Sequence, residues 1–291
     1  MLAFDALAAG LAASRALAVA GLFVIFGTLL VATVIAQPAT GGGGRARPRR
    51  SFAMLLGGAV IGAVLGVGLW TGLQTAAMAQ TDGIGDTLAR VPAVLLHTDF
   101  GHVILLRLGL LGVIGLALAA GRPGPATVPA GLAASLQAAH LHAMAIGHGP
   151  SLLLASEVLH VLAAAMWLGS LPALLIVVIS GPPGMAMAAV RRFSVMALGA
   201  VLVIGATAAL QAVSLAGEPL NLAATAYGRV CLAKATLFAG LLALAVRNQW
   251  RLRRGASAAA LGGSIGIAIA LAALVLTLAA ILSAMPPPSE A

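Results

Sequence analysis

Eight mainly apolar stretches alternate with short polar connections along this chain, at roughly 12–36, 52–79, 98–120, 126–147, 152–180, 194–215, 228–246 and 259–284. A helix rises 1.5 Å per residue and needs about 20 apolar residues to cross the hydrocarbon layer of a bilayer. The pattern therefore predicts an all-α polytopic membrane protein with eight transmembrane helices. The fourth window is the weakest, because Gln137, His140, His142 and His148 interrupt it. The first apolar run, Leu17 to Ala36, has no basic segment before it and a positive flank after it. That order marks a retained first span, since a cleaved signal carries its charge in front.

Composition agrees with the pattern. Of 291 residues, 61% are hydrophobic and 8% charged, whereas soluble domains carry about a quarter charged residues. The formal charge of +9 is no sign of nucleic-acid binding, because the basic residues cluster in short segments between apolar runs. Such clusters are topology signals. The odd-numbered connections hold Arg45, Arg47, Arg49 and Arg50, then Arg122, then Arg191 and Arg192, then Arg247, Arg251, Arg253 and Arg254. The even-numbered ones carry Asp82, Asp86, Glu218 and a lone Arg90. The positive-inside rule puts the odd connections in the cytoplasm and both termini on the periplasmic side. Cys231 is the single cysteine, so neither an intrachain disulfide nor a Cys-x-x-Cys site exists.

The two halves echo one another. Arg49-Arg50-Ser51-Phe52-Ala53-Met54 opens the second window and Arg191-Arg192-Phe193-Ser194-Val195-Met196 the sixth. Leu73-Gln74 answers Leu210-Gln211 near the ends of these windows. Thr98-Asp99-Phe100-Gly101 precedes the third window, with Arg107 nine positions after the Thr; Thr225-Ala226-Tyr227-Gly228 precedes the seventh, with Lys234 at the same distance. Four matches in order predict a parallel 4+4 repeat, residues 1–150 and 151–291, with its axis along the membrane normal. The halves join between windows four and five.

That join gathers the chemistry. Gly147, Gly149 and Pro150 form a short turn that makes windows four and five antiparallel neighbours. His140, Met144 and His148 follow one another at i, i+4 and i+8, one stripe of a helix; Glu157 and His160 stand at i and i+3 on the next, with Trp167 two turns on. His140 and His160 are equidistant from Pro150. His142 lies on another side of its helix, and His97, Asp99 and His102 at the outer end of window three stand ready to complete or feed the set. Imidazole with thioether suits Cu(I), while imidazole alone also fits Cu(II), zinc or haem iron. Ionisable groups inside a membrane are costly enough that a role is the default reading. Met54, Met185, Met187 and Met196 read as packing or loop residues, Trp70 and Trp250 as interfacial anchors, and Trp167 as shaping a cavity. Arg107 and Lys234 have three readings: snorkelling, anion binding or pairing with a carboxylate. Snorkelling is favoured.

Several of these segments resemble the copper resistance protein D family. They are Arg191-Arg192-Phe193-Ser194, Thr225-Ala226-Tyr227-Gly228-Arg229 with Lys234, Arg247-Asn248-Gln249-Trp250-Arg251, and the stretch from His160 through Met166-Trp167-Leu168-Gly169. Thr98, Phe100, Gly101 and Arg107 fit the first half, and the diagnostic region spans about 190–285. The resemblance implies a multi-pass bacterial inner-membrane protein of copper homeostasis, not an enzyme, that acts with a periplasmic copper-binding protein of the CopC type. No such domain is fused here, so that partner is expected to be separate. Where many relatives carry a basic residue after Thr-x-Phe-Gly, this chain has His102. The resulting expectation is a copper permease with His140, His160, Met144, Glu157, His148, His142, His102 and His97 as the ligand set. Two alternatives stand beside it: a b-type cytochrome with His140 and His160 as axial haem ligands, and a copper chaperone or assembly factor for a membrane oxidase.

Overall fold

The computed structural model describes residues 2–36, 46–140, 150–215, 225–283 and 285. Within them the chain is helical throughout: α1 (Leu2–Leu30), α2 (Ala46–Ala79), α3 (Ile84–His97), α4 (Asp99–Ala119), α5 (Pro123–Ser135), α6 (Pro150–Leu168), α7 (Leu171–Ser180), α8 (Pro183–Leu215), α9 (Ala226–Arg253) and α10 (Gly262–Leu282). Among the described residues seven helical segments are long and apolar enough to cross a bilayer: Ala6–Ile35, Arg50–Ala79, Asp99–Ala119, Leu152–Ser180, Pro183–Gln211, Ala226–Arg253 and Ala259–Leu282. Their outward faces carry Leu65, Leu69, Leu116, Val195 and Leu202, as lipid contact requires.

Seven, where the sequence pattern gives eight, has a local cause. The fourth window opens inside α5, which starts with Pro123 and Pro125, contains Pro129 and ends after 13 residues. That is about 20 Å of helix, short of a ~30 Å hydrocarbon layer. A 3₁₀ turn, Ala138–His140, follows it, and residues 141–149 lie outside the described set. A second difference lies between windows two and three, where a connection folds as the helix α3. Its Ile84, Leu88, Val91 and Leu95 recur at helical spacing, opposite Asp86, Arg90 and His97. Ile84 and Leu88 are exposed, which leaves the N-terminal part of this face free for the membrane interface, while Leu95 packs against the cluster around Trp70. Thr98 alone joins α3 to α4: its hydroxyl donates to the Val94 carbonyl at 2.7 Å and accepts from Gly101 N–H at 3.0 Å. Thr225 caps α9 the same way, accepting from Gly228 N–H at 3.0 Å.

The long α1 is the post around which the other helices pack. It crosses α2 through small residues. A Cβ added at Gly21 would come within 2.7 Å of Ala63 N, and one at Gly66 within 2.4 Å of Ala18 N. Backbone approach of this kind is how membrane helices gain dispersion energy where no hydrophobic drive exists. The α1–α6 crossing is closer still. A Cβ on Gly27 would meet Gly169 C at 2.1 Å, and one on Gly169 would meet the Phe23 carbonyl at 2.0 Å. Here the long apolar segment breaks into α6 and α7. Pro172, in the first turn of α7, has no N–H for the Leu168 carbonyl and clashes with a continuing helix. At the break, the Ser170 hydroxyl donates to the Met166 carbonyl at 2.6 Å and lies 3.3 Å from that of Gly27. At the far end of α1, Arg192 donates to the Ile35 carbonyl at 3.1 Å, placing a cation at a helix C-terminus where the dipole favours it.

The two tryptophans read as anchors part company. Trp250 is 51% exposed, with the Arg254 guanidinium 3.6 Å above its ring, and fits an interface. Trp70 is fully buried between α1, α2 and α4, edge-on to Phe100 at 5.5 Å. It is core, because the small residues of α1 and α2 leave a recess that only a large ring fills.

Candidate functional site

Polar side chains from six elements converge on one cavity of about 190 Å³. It is bordered by Arg15 of α1, Gln137 just after α5, Glu157 and His160 of α6, Gln211 of α8, Tyr227 and Lys234 of α9, and Ser283 at the end of α10. Tyr227 and Ser283 sit at the first turn of α9 and the C-cap of α10, so the cavity lies toward that end of the bundle. Below the polar groups its wall is apolar: Phe23, Val161, Ala164, Leu168 and Leu276. Glu157, Val161, Ala164 and Leu168 follow helical spacing, so α6 turns one continuous stripe to the cavity. Trp167 falls off this stripe. It borders instead a mostly apolar cavity of about 530 Å³ with Phe193 and Leu241, and packs edge-on to Phe238 at 5.9 Å.

His160 is held in a defined orientation. Its Nδ1 lies 2.9 Å from the Thr207 hydroxyl, and that hydroxyl lies 2.7 Å from the Val203 carbonyl one turn earlier. A hydroxyl has one proton, and a carbonyl can only accept. When the Thr207 proton goes to the Val203 carbonyl, the nearer of its acceptors, the hydroxyl accepts from His160 Nδ1–H, the tautomer that leaves the Nε2 lone pair free. Metal-binding histidines are oriented through their second nitrogen in this way. One turn along, Gln211 donates to the Ser156 hydroxyl at 3.4 Å. The pairs Ser156/His160 and Thr207/Gln211 thus stack at i, i+4 on facing helices, α6 and α8.

Thr207, Ser156, Arg15, Gln137 and Tyr227 are absent from the set read from the sequence. A Thr and a Gln four apart in an apolar helix were the available signal for α8. Arg15 has no such sign, since it is brought to the site from the other end of the chain.

The structure brings Glu157 and His160 of the expected ligand set to one cavity. His140 closes the 3₁₀ turn after α5, and its side chain is outside the described residues, as are His142, Met144 and His148. His97 and His102 are exposed at the α3–α4 junction and do not border the cavity; their rings engage the carbonyls of Ala93 at 3.1 Å and Leu96 at 3.0 Å. Among the described residues no three His, Cys, Asp or Glu side chains are grouped closely enough to hold a metal ion.

The cations around the cavity are a further finding. Arg15 donates to the Ser283 carbonyl at 3.0 Å and to its hydroxyl, and its guanidinium carbon lies 4.7 Å from the Trp70 ring centroid. Arg107 lies 5.4 Å from the same centroid. It is 0% exposed, and none of its three guanidinium nitrogens has a hydrogen-bond partner among the described residues. Arg107 does not snorkel. Its start in the third turn of α4 and the packing of Trp70 and Ile104 around it bury it.

Two family models together cover most of the chain. Residues 4–152 match the copper resistance protein D-like N-terminal domain, and residues 187–282 match copper resistance protein D. No match was found among curated proteins or among solved structures.

Proposed function

The chain belongs to the copper resistance protein D family, a multi-pass family of the bacterial inner membrane, and from that premise we propose that it is a copper permease whose ion passes through the cavity of Glu157 and His160. The observation that carries this reading is the His160–Thr207 pair. In the tautomer whose Nδ1–H donates to Thr207, His160 has an unprotonated Nε2 to offer at the wall of a polar cavity, beside a carboxylate that offsets the charge of an arriving cation. Neither group would otherwise be economical at this depth.

In this reading His140, His142, Met144 and His148 supply the remaining donors. The sequence spacing about Pro150 supports that, and their thioether and imidazole chemistry suits Cu(I). His97 and His102 sit on the surface near the start of α4, fit for collecting ions before they reach the cavity. The matched threonine caps at Thr98 and Thr225, with Arg107 and Lys234 at equal distances beyond them, support the 4+4 repeat, with α5 and the segment after it as the eighth crossing. The arginine distribution supports periplasmic termini, which would open the cavity to the periplasmic side and to a CopC-like donor.

The haem alternative fits less well. A cavity of about 190 Å³ is below the ~300–1,000 Å³ of pockets for drug-sized ligands, and a porphyrin is at the upper end of that scale. Purified protein distinguishes the two. Copper that co-purifies or binds stoichiometrically and is lost in His160→Ala, with no Soret band, is the expected result. A Soret band that vanishes in His160→Ala would replace the permease with a cytochrome.

A further inference from the structure

Two cations and one carboxylate face the cavity: Arg15 and Lys234 against Glu157. None of the three forms an ion pair within 4.0 Å among the described residues, in contrast to the exposed Asp86–Arg90 pair at 3.8 Å. Arg107 adds a third cation behind Arg15 on the same tryptophan, with no hydrogen-bond partner for its guanidinium. A bare copper ion placed at His160 and Glu157 would therefore enter a region already in positive excess. In a low-dielectric interior like charges repel strongly, and a buried charge persists only when something neutralises it. Glu157 can answer one cation, and the other is left for a ligand. The empty volume lies between these groups, and Gln211 and Tyr227 add polar hydrogens to its wall.

We propose that the cavity takes copper together with a small monovalent anion that is itself a copper ligand, a halide or a carboxylate, held by Lys234 and Arg15 while the metal rests on His160 and Glu157. The inference rests on the copper reading above and specifies the form of its substrate. Copper then occupies the site as a complex of lower charge than the bare ion. The anion fills the coordination position opposite the protein donors, and Lys234 stabilises it instead of repelling the metal. Arg107 raises the local positive potential without touching the complex.

The sign of one substitution separates this from a bare-cation site. Removing a nearby positive charge tightens the binding of a bare cation, but weakens the binding of a complex whose anion that charge holds. Copper affinity is measured by chelator competition on the purified full-length protein and its Lys234→Gln and Lys234→Arg variants, at constant ionic strength in chloride, acetate or perchlorate. In chloride or acetate Lys234→Gln should bind copper at least tenfold more weakly than the wild type, with Lys234→Arg close to wild type. In perchlorate, which does not ligate copper, the gap should close or reverse. The salt that opens the gap tells halide from carboxylate. Tighter or unchanged binding by Lys234→Gln in all three salts overturns the proposal.

A second measurement needs no variant. With bromide as the halide and, separately, acetate, copper-edge X-ray absorption of the loaded wild type should show a bromine shell or an added oxygen shell. A spectrum identical in bromide, acetate and perchlorate overturns the proposal while leaving the copper reading intact. Failure of the wild type to bind copper in any salt overturns the copper reading itself and the proposal with it.

Discussion

Replacing Gly169 with alanine tests whether the α1–α6 contact sets the position of the site. The new Cβ would stand 2.0 Å from the Phe23 carbonyl oxygen and 2.5 Å from that of Ala165, both backbone atoms. No side-chain rotation relieves either contact: the Phe23 contact requires α1 and α6 to separate by about 1 Å or more, and the Ala165 contact, within α6's own chain, requires the end of that helix to rearrange. Overpacking of this kind costs about 1–3 kcal/mol. The displacement also lengthens the 3.3 Å approach of the Ser170 hydroxyl, whose proton goes to the nearer Met166 carbonyl, to the Gly27 carbonyl. The expected loss is therefore about 1–3 kcal/mol. Gly58 supplies the control. Nothing lies within 4 Å of a Cβ there, and alanine in an open helix position is neutral or stabilising by up to about 1 kcal/mol. Denaturant titration of both variants in one detergent, followed by circular dichroism, reads the difference. Gly169→Ala should unfold at a clearly lower denaturant concentration than Gly58→Ala. Equal midpoints would refute the backbone contact. Because Phe23, Val161, Ala164 and Leu168 wall the cavity on these two helices, the same variant should also lose copper binding.

Thr207→Val preserves side-chain shape but removes the hydroxyl that fixes the His160 ring. Copper affinity measured by chelator competition should drop by about 10–100-fold, the usual cost of losing an orienting partner behind a metal-binding histidine; unchanged affinity would exclude the tautomer argument. Thr98→Ala and Thr225→Ala each remove one N-cap and should each cost about 1 kcal/mol in the same unfolding titration. A large loss from one and none from the other would argue against treating the two helix starts as equivalent.

Long periodic apolar runs carried most of the fold, because a bilayer leaves the backbone few options and seven of the expected crossings appear with small changes of boundary. The exceptions have local reasons. The helix α5 is only 13 residues long, and an amphipathic segment of only 14 residues, α3, hides in what reads as a connection. Glu157 and His160 were legible as a pair because they share a helix face. The buried state of Trp70 and Arg107 was not, since an aromatic or a cation near a helix end looks the same whether it meets headgroups or a neighbouring helix. Arg15 was illegible for another reason. Its partner Ser283 is at the opposite end of the sequence, and only the closure of α10 against α1 brings it to the cavity.

Passage of copper through the cavity of His160 is read out by transport into sealed vesicles that hold the purified protein. Wild type and His160→Ala, reconstituted at equal density and shown to unfold alike, are given copper outside, and the copper retained inside is measured against protein-free vesicles. The wild type should accumulate copper well above the protein-free level, and His160→Ala should fall to that level. Accumulation by His160→Ala at the wild-type rate would contradict passage through this cavity.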